Sequence, residues 1–122
     1  MTAIFAVMSC KTSSPIVLNG EYSVEKVLEV PGKPEAFVLF NDTTGLLSAN
    51  MGCNMINANY KLLEDNKLEI QNGLSTKMMC PDNELENTFN QILEGTTHYE
   101  MDGEMLMLFS NGEMQAVLKQ VK

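Results

Sequence analysis

The chain has 122 residues and a formal net charge of −8, because 16 Asp and Glu outweigh 8 Lys and Arg. That length fits a single domain, and 44% hydrophobic against 20% charged residues is not the composition of a disordered chain. The acidic balance argues against nucleic-acid binding, which depends on basic side chains that displace counterions. No stretch reaches the about 18 apolar residues that a spanning helix needs, so we expect membrane contact only through a lipid anchor.

The N-terminal residues raise two possibilities. Residues 1–9 are uncharged, and an apolar run at 3–8 is followed by Cys10 and a Lys-Thr-Ser-Ser stretch. This arrangement resembles the lipobox of a bacterial lipoprotein, in which Cys10 would be lipidated. A signal peptide needs roughly 15–30 residues and a basic start, so the run is either a trimmed signal or an N-terminal strand packed in the core. We take 1–14 as an apolar segment and tether, and 15–122 as the domain.

Short extended segments separated by turns dominate the rest of the chain. Alternating or β-branched patterns predict strands at 22–30, 36–40, 59–63, 67–70, 97–101, 105–109 and 114–118. Asp102-Gly103 and Asn111-Gly112 tolerate the positive φ angles of type I′ turns. The last three predicted strands therefore form an antiparallel meander.

One segment has a helical pattern. Asn83 precedes the apolar residues, and Glu86 follows it at the spacing of a capping box. Gly95 stands where a left-handed residue ends a helix. One apolar face of the helix is formed by Leu85, Phe89, Ile92 and Leu93. The predicted fold class is α+β, with an antiparallel sheet of about eight strands curled into an open, cracked barrel around one amphipathic helix.

Three short motifs occur in a distinctive order. The first is Gly-Cys-Asn followed by a tyrosine, the second is Thr-x-Met-x-Cys, and the third is a Glu and a Phe on the predicted helix. Together they resemble the META domain family, which includes the bacterial heat-shock protein HslJ, over about residues 18–119. Tyr22 departs from the pattern, because the family often has tryptophan after its first glycine. The motif residues are Gly52, Cys53, Asn54, Tyr60, Thr76, Met78, Cys80, Glu86 and Phe89.

The resemblance implies an envelope protein, often a lipoprotein, linked to stress responses and without assigned catalytic residues. We therefore expect a non-enzymatic protein-binding or structural module, with no metal and no cofactor, in the outer membrane or periplasm. It would be cytoplasmic if Cys10 is not a lipobox. The partner would be an unidentified envelope protein. The alternative is a carrier of a small apolar ligand or lipid in the barrel interior, with open space beside the apolar face of the helix.

Cysteine and histidine are the residues with the most reactive chemistry. Cys53 and Cys80 lack Cys-x-x-Cys spacing, and in an envelope protein they would form a disulfide that leaves Cys10 for lipid. The alternative is two buried free thiols. His98, the only histidine, lies in an alternating strand, so we do not expect a Cys–His hydrolase.

Two further features have a structural and a functional interpretation. The Gly52-Cys53-Asn54 segment is expected to be a structural bulge, although Asn54 in a binding loop would suit ligand contact. Methionine is abundant, at 10 residues of 122, and Met78, Met79, Met105 and Met107 are predicted to lie in strands. We expect them to fill the core, whereas a methionine-rich outward face would suit adaptable binding to apolar partners.

Overall fold

The computed structural model describes residues 18–76 and 78–121, with only the backbone at Asn72 and Gly73. A 3₁₀ turn at Glu64–Asn66 separates the fifth strand from the sixth. The elements are β1 (Gly20–Val27), β2 (Val30–Pro31), β3 (Phe37–Asn41), β4 (Leu46–Asn50), β5 (Met55–Leu63), β6 (Lys67–Ser75), α1 (Glu84–Leu93), β7 (His98–Asp102), β8 (Met105–Ser110) and β9 (Glu113–Gln120). Residues 1–17, which include Cys10 and the tether predicted at 1–14, lie outside the described residues.

The strands form one antiparallel sheet that closes on itself. Its order is β9-β8-β7-β6-β5-β4-β3-β1-β2, and β9 also pairs with β1. The eight longer strands therefore make a barrel, to which β2 adds a two-residue extension on β1. The architecture is mostly β with one short helix. The predicted antiparallel barrel is confirmed, but the pairing of β9 with β1 closes it rather than leaving it open there. The α+β class is only partly right, because helix is confined to the ten residues of α1.

The helix spans the barrel. It contacts β1 and β2 on one wall and β6 on the wall opposite. The apolar face of the helix is buried in the same core cluster as the inward side chains of the strands. This face consists of Leu85, Phe89, Ile92 and Leu93. Burial of these side chains, worth about 1.5–3 kcal/mol each, holds the helix in place.

Aromatic rings occupy the middle of the core. Tyr22 packs edge-on against Phe40 at 5.5 Å between ring centroids, and Phe40 packs edge-on against Tyr60 at 5.1 Å. Each such pair contributes roughly 0.5–1.5 kcal/mol beyond its buried area. Tyr22, at the position where the family often has tryptophan, is therefore a buried aromatic anchor in this chain.

Several strand boundaries differ from the prediction. The segment predicted as one strand at 22–30 is a hairpin, because Leu28 adopts a φ of 54° and Pro31 turns back to pair with Lys26. Strand β4 at Leu46–Asn50 was not predicted, and β5 and β6 are longer than expected. Their outward positions carry amides such as Asn57 and Gln71, residue types of low strand propensity that pairing with neighbouring strands overrides.

Both predicted helix caps are wrong in detail. Asn83 is the N-cap residue, but its side chain makes no capping hydrogen bond. The Glu86 carboxylate accepts hydrogen bonds from Asn54 instead, so the capping box does not form. The helix ends at Leu93, its C-cap residue Glu94 has a right-handed conformation, and Gly95 has no positive φ.

The C-terminal meander is present, with one turn displaced. Asn111 and Gly112 have φ angles of 52° and 91°, as a type I′ turn requires. Asp102 pairs with Met105, so the other turn consists of Gly103 and Glu104 rather than Asp102 and Gly103. Gly103 has a φ of 63° at the first central position, where a type II′ turn needs glycine.

Candidate binding surface

Most of the motif residues meet in one polar cluster, which we call the clasp: Asn54, Thr76, Met78, Glu86 and the Cys53–Cys80 disulfide. Asn54 and Glu86 are both buried. The Asn54 backbone N–H donates to Glu86 Oε1 at 2.9 Å, and Asn54 Nδ2 donates to Glu86 Oε2 at 2.9 Å. Both carboxylate oxygens are therefore satisfied, which a buried acid requires.

The other side of the Asn54 amide holds the segment that follows β6. Thr76 Oγ1 donates to Asn54 Oδ1 at 2.8 Å, and the Met78 N–H donates to the same oxygen at 2.7 Å. Asn54 Nδ2 also donates to the Met78 carbonyl at 3.3 Å. One amide side chain thus joins the loop before β5, the loop after β6 and the helix.

A disulfide reinforces the same junction. The structure joins Cys53 to Cys80, 27 residues apart, with their Cα atoms 6.2 Å apart, so the alternative of two free thiols does not apply to this state. Gly52 has a φ of +110°, a conformation that side-chain-bearing residues rarely adopt. Each of these features fixes backbone, and none leaves a polar group aimed at an open site. The clasp is therefore a structural element.

Tyr60 and Phe89, the remaining motif residues, lie in the core. The Tyr60 hydroxyl donates to the Leu18 carbonyl at 2.7 Å and ties the start of the described chain to β5. Burial, together with the negative charge of Asp42 and the neighbouring Tyr22, raises the pKa of Tyr60 to about 12. Phe89 is fully buried.

The outer wall of β8 and β9 carries an unusual apolar surface. In β8 the inward residues Leu106 and Leu108 are fully buried, so the alternate residues must point outward. The outward side chains are half-buried, and none belongs to the core cluster. We call this surface the apolar stripe, formed by Met105, Met107 and Phe109 from β8 with Met114 and Val117 from β9.

Strand register fixes the borders of the apolar stripe. Met107 pairs with Glu100 on one side and Val117 on the other. Met105 likewise pairs with Asp102 and Lys119. The stripe is therefore apolar along its middle, with carboxylates along β7 and ammonium groups towards β1.

Two clefts adjoin the apolar stripe. One has a volume of about 620 Å³ and is lined by Phe109 together with His98 and Glu100. The other, about 340 Å³, is lined by Met114 and Val117 at the opposite border. An apolar strip with a cleft at each side offers more contact area than a flat strand surface.

The methionines of the Thr-x-Met-x-Cys motif also face solvent. Met78 is 59% exposed and Met79 is 97% exposed, and both lie after the end of β6. The prediction that these two residues lie in strands is wrong. The prediction of core filler is also wrong for Met105 and Met107, because the inward positions of β8 are taken by leucines.

A sequence model of the META domain family matches residues 15–122. The chain belongs to the META domain family. The match covers most of the chain, including all motif residues of the clasp. No curated protein matches the chain.

Three solved structures share the fold of this META domain. A protein from Burkholderia xenovorans, solved by NMR, is 16% identical with a TM-score of 0.64, over 90% of this chain and 95% of that one. A DUF4847 family protein from Bacteroides vulgatus ATCC 8482 is 15% identical with a TM-score of 0.63, over 85% and 94%. A further protein solved by NMR is 22% identical with a TM-score of 0.65, over 83% and 88%. At these identities the likeness establishes the fold alone.

The reactive residue types of this META domain are dispersed or already paired. His98 lies in β7, where Nδ1 is 2.8 Å from Thr97 Oγ1. Within residues 18–76 and 78–121, no group of three or more His, Cys, Asp or Glu side chains is placed to hold a metal ion. No helix in this part of the chain is long and apolar enough to cross a membrane.

The apolar stripe corresponds to the outward methionine face that the sequence allowed only as an alternative to core filler. Its signal is the unbroken apolar run 105–109. A strand with only one buried face normally alternates apolar and polar residues, whereas a continuous run is typical of strands covered on both faces. In this META domain the outward side chains of β8 are half-buried and lie outside the core cluster, so the run places apolar residues on both faces of the strand.

Proposed function

We propose that this META domain is a non-enzymatic binding module whose working surface is the apolar stripe. The observation that carries the proposal is that β8 is apolar on both faces, and its outward side chains are only half-buried and lie outside the core cluster. Met107 and Phe109 lie at the centre of this outer face, between the two clefts. A partner that covers them would remove apolar surface from water at about 25 cal/mol per Å².

Methionine suits such a surface. Its unbranched side chain and polarisable sulfur adapt to irregular partners, which is why methionine-rich faces accommodate varied apolar ligands. The carboxylates of Glu100 and Asp102 on one border, and Lys119 on the other, would orient a partner that carries complementary charge. These features favour a protein partner over a small molecule.

The barrel interior offers less support for a carrier. The predicted carrier needs open space beside the apolar face of the helix. Phe89 on that face is fully buried, and the rings of Tyr22, Phe40 and Tyr60 pack in the same core. The surface clefts described above are lined by other residues. Binding on the outer wall requires no rearrangement of this packed interior.

The absence of an enzymatic role is part of the same proposal. A Cys–His hydrolase needs a thiolate, and Cys53 and Cys80 are tied to each other in the disulfide. The His98 ring lies beside the Thr97 hydroxyl, which is already used in the hairpin, because it donates to the Phe109 carbonyl and accepts from the Asn111 N–H.

We further propose that the domain works in the bacterial envelope as a stress-related lipoprotein. The disulfide supports this placement, because such bonds persist in the periplasm and are rare in the cytosol. Cys10 would carry the lipid. Metabolic labelling with a palmitate analogue tests this: the wild-type chain should be labelled and Cys10→Ser should not, whereas equal labelling of both would contradict the lipidation.

The binding role is tested with two matched double variants. The first, Met105→Ser with Met107→Ser, removes two methionines from the apolar stripe. The second, Met78→Ser with Met79→Ser, removes two exposed methionines from the loop after β6. Each chain is used to capture proteins from envelope extracts, and the bound proteins are quantified by mass spectrometry against the wild-type chain.

We expect the stripe variant to lose a partner at least tenfold, while the loop variant retains it. Two buried methionines are worth about 1.5–3 kcal/mol each, and tenfold in affinity corresponds to about 1.4 kcal/mol. Loss of the partner by the loop variant alone would move the binding surface to Met78 and Met79. Equal capture by all three chains, or capture of nothing by the wild type, would also contradict the proposal.

A further inference from the structure

The barrel is barely closed at one junction, between β6 and β7. These neighbouring strands share a single register pair, Lys67 with His98. Strand β6 continues to Ser75, so beyond Lys67 no described strand pairs with this edge. An open strand edge presents a row of backbone donors and acceptors that another strand can use.

The alternation of hydrogen bonds along β6 shows which of its backbone groups face this opening. The Leu68 N–H donates across the junction to the Thr97 carbonyl at 2.8 Å. In an antiparallel ladder, alternate residues direct their backbone groups to the same side. The N–H and C=O of Ile70, two residues further on, therefore point towards the opening.

Pairing with β5 supports the same assignment of backbone directions in β6. Tyr60 is the register partner of Ile70, and its N–H donates away from β6 to the Gly45 carbonyl at 2.9 Å. Tyr60 and Ile70 are thus a non-hydrogen-bonded pair, and the backbone groups of Ile70 are not used by β5. Glu69, by contrast, directs its N–H and C=O towards β5.

A cleft lies along this edge. Its volume is about 700 Å³, within the roughly 300–1,000 Å³ range of ligand sites. One wall is the start of β6, including Leu68, Glu69 and Ile70, and the other includes Glu94 and Thr97. The cleft therefore combines an open strand edge with a second wall that would cover an added strand.

The side chains around the cleft define the peptide that fits. Leu68 and Ile70 are buried and give the cleft an apolar floor. Glu69 and Glu94 are exposed on its rim, with Lys67 at one end. Two carboxylates against one ammonium, in a chain of net charge −8, favour a peptide with basic outward side chains and apolar inward ones.

We propose that this cleft binds an extended peptide by strand addition to β6, with the peptide backbone paired to Ile70 and its basic side chains facing Glu69 and Glu94. Such binding takes its affinity from main-chain hydrogen bonds and its specificity from alternate side chains. The site lies on a different strand from the apolar stripe and does not rest on the function proposed for that surface.

The probe is a capped heptapeptide of alternating lysine and valine, titrated into the ¹⁵N-labelled full chain. Amide hydrogen exchange is measured at Ile70 and Glu69. In the free chain Ile70 should exchange faster than Glu69, whose amide is bonded to β5. Saturation with the peptide should slow Ile70 exchange at least tenfold and leave Glu69 unchanged. The same peptide N-methylated at every residue, which has no backbone donors, should not bind.

Charge reversal distinguishes the effect of the rim carboxylates on peptide affinity from the effect of the protein's overall negative charge. Glu69→Lys on the rim should weaken the peptide at least threefold more than Glu25→Lys, an exposed residue of β1 on the wall opposite β6. Strand addition is overturned if Ile70 is as protected as Glu69 in the free chain, if the N-methylated peptide binds equally well, or if the two charge reversals have the same effect.

Discussion

The clasp and the apolar stripe lie in the same barrel but differ in every respect that bears on function. The clasp contains most of the family motif, is buried, and satisfies its polar atoms internally, as the Asn54–Glu86 pair illustrates. The apolar stripe contains no motif residue and leaves Met107 and Phe109 on the outer wall. The comparison indicates that the motif residues of this chain hold its fold together, and the binding that we propose uses a surface outside the motif.

The largest effect on stability should come from Asn54→Ala. This change keeps the backbone N–H bond to the buried Glu86 carboxylate but removes the bond from Nδ2. It also removes the oxygen that accepts from Thr76 Oγ1 and the Met78 N–H. A bond to a charged group is worth about 1.5–3 kcal/mol and a neutral one about 0.5–1.5 kcal/mol. We expect the free energy of unfolding to fall by about 3–5 kcal/mol in urea denaturation followed by circular dichroism. The control is Asn57→Ala, an exposed amide bonded to Ser48, expected to cost under about 1 kcal/mol. Equal losses would contradict a structural clasp.

Reduction of the Cys53–Cys80 disulfide should have the next largest effect. The bond closes a 27-residue separation, for which chain entropy in the unfolded state gives about 3.5 kcal/mol. We expect dithiothreitol to lower the urea midpoint of the wild-type chain. A Cys53→Ser, Cys80→Ser double variant should begin at the lower midpoint and not respond to reductant. A wild-type midpoint that reduction does not move would mean that the hydrogen bonds alone hold the clasp.

A smaller loss is expected for Tyr60→Phe. The change keeps the aromatic packing against Phe40 but removes the hydroxyl that donates to the Leu18 carbonyl. The expected loss is about 1 kcal/mol, measured by urea denaturation at neutral pH. No loss would show that the Leu18 carbonyl finds another donor, and that the start of the described chain is not anchored through Tyr60.

Alkaline pH should sharpen the same result. The pKa of Tyr60 is raised to about 12 in the folded chain, against about 10 when unfolded. Folding thus favours the neutral phenol, so its contribution is complete below pH 10 and is lost as pH rises towards about 12. Unfolding measured between pH 8 and 11 should show a decline that is shallower in Tyr60→Phe. An identical decline in both chains would contradict the assignment.

The smallest effect on stability should come from the Met105→Ser, Met107→Ser variant. These side chains lie outside the core cluster, so we expect the free energy of unfolding to change by under about 1 kcal/mol. This result matters for the comparison with the clasp, because it would separate binding from folding. A loss of several kcal/mol would show that the outward methionines are part of the fold.

The sequence predicted the elements whose signals are local. The hairpin at Asn111-Gly112 and the apolar face around Phe89 were predictable, because turn chemistry and helical periodicity act over a few residues. The partner of Glu86 was not, since the capping box is a local alternative to its bond with Asn54, 32 positions away. Which residues share a contact across the barrel depends on strand register, and a single sequence does not encode register directly.

The outward direction of Met105 and Met107 was only the alternative prediction, for a related reason. Alternation requires neighbouring residues of a strand to face opposite sides, but β8 is apolar at every position from 105 to 109, so hydrophobicity alone does not distinguish the two faces. Pairing with Glu100 and Asp102 of β7, both exposed, identifies the outer one.

The most direct test of the central claim is photo-crosslinking in living cells, with p-benzoylphenylalanine placed at position 107 in the apolar stripe or at position 48. Ser48 lies on β4, on the opposite wall of the barrel, and serves as the matched control. The account predicts a discrete crosslinked protein from position 107 and none from position 48. Crosslinks of equal yield from both positions, or none from position 107, would contradict a binding surface on β8.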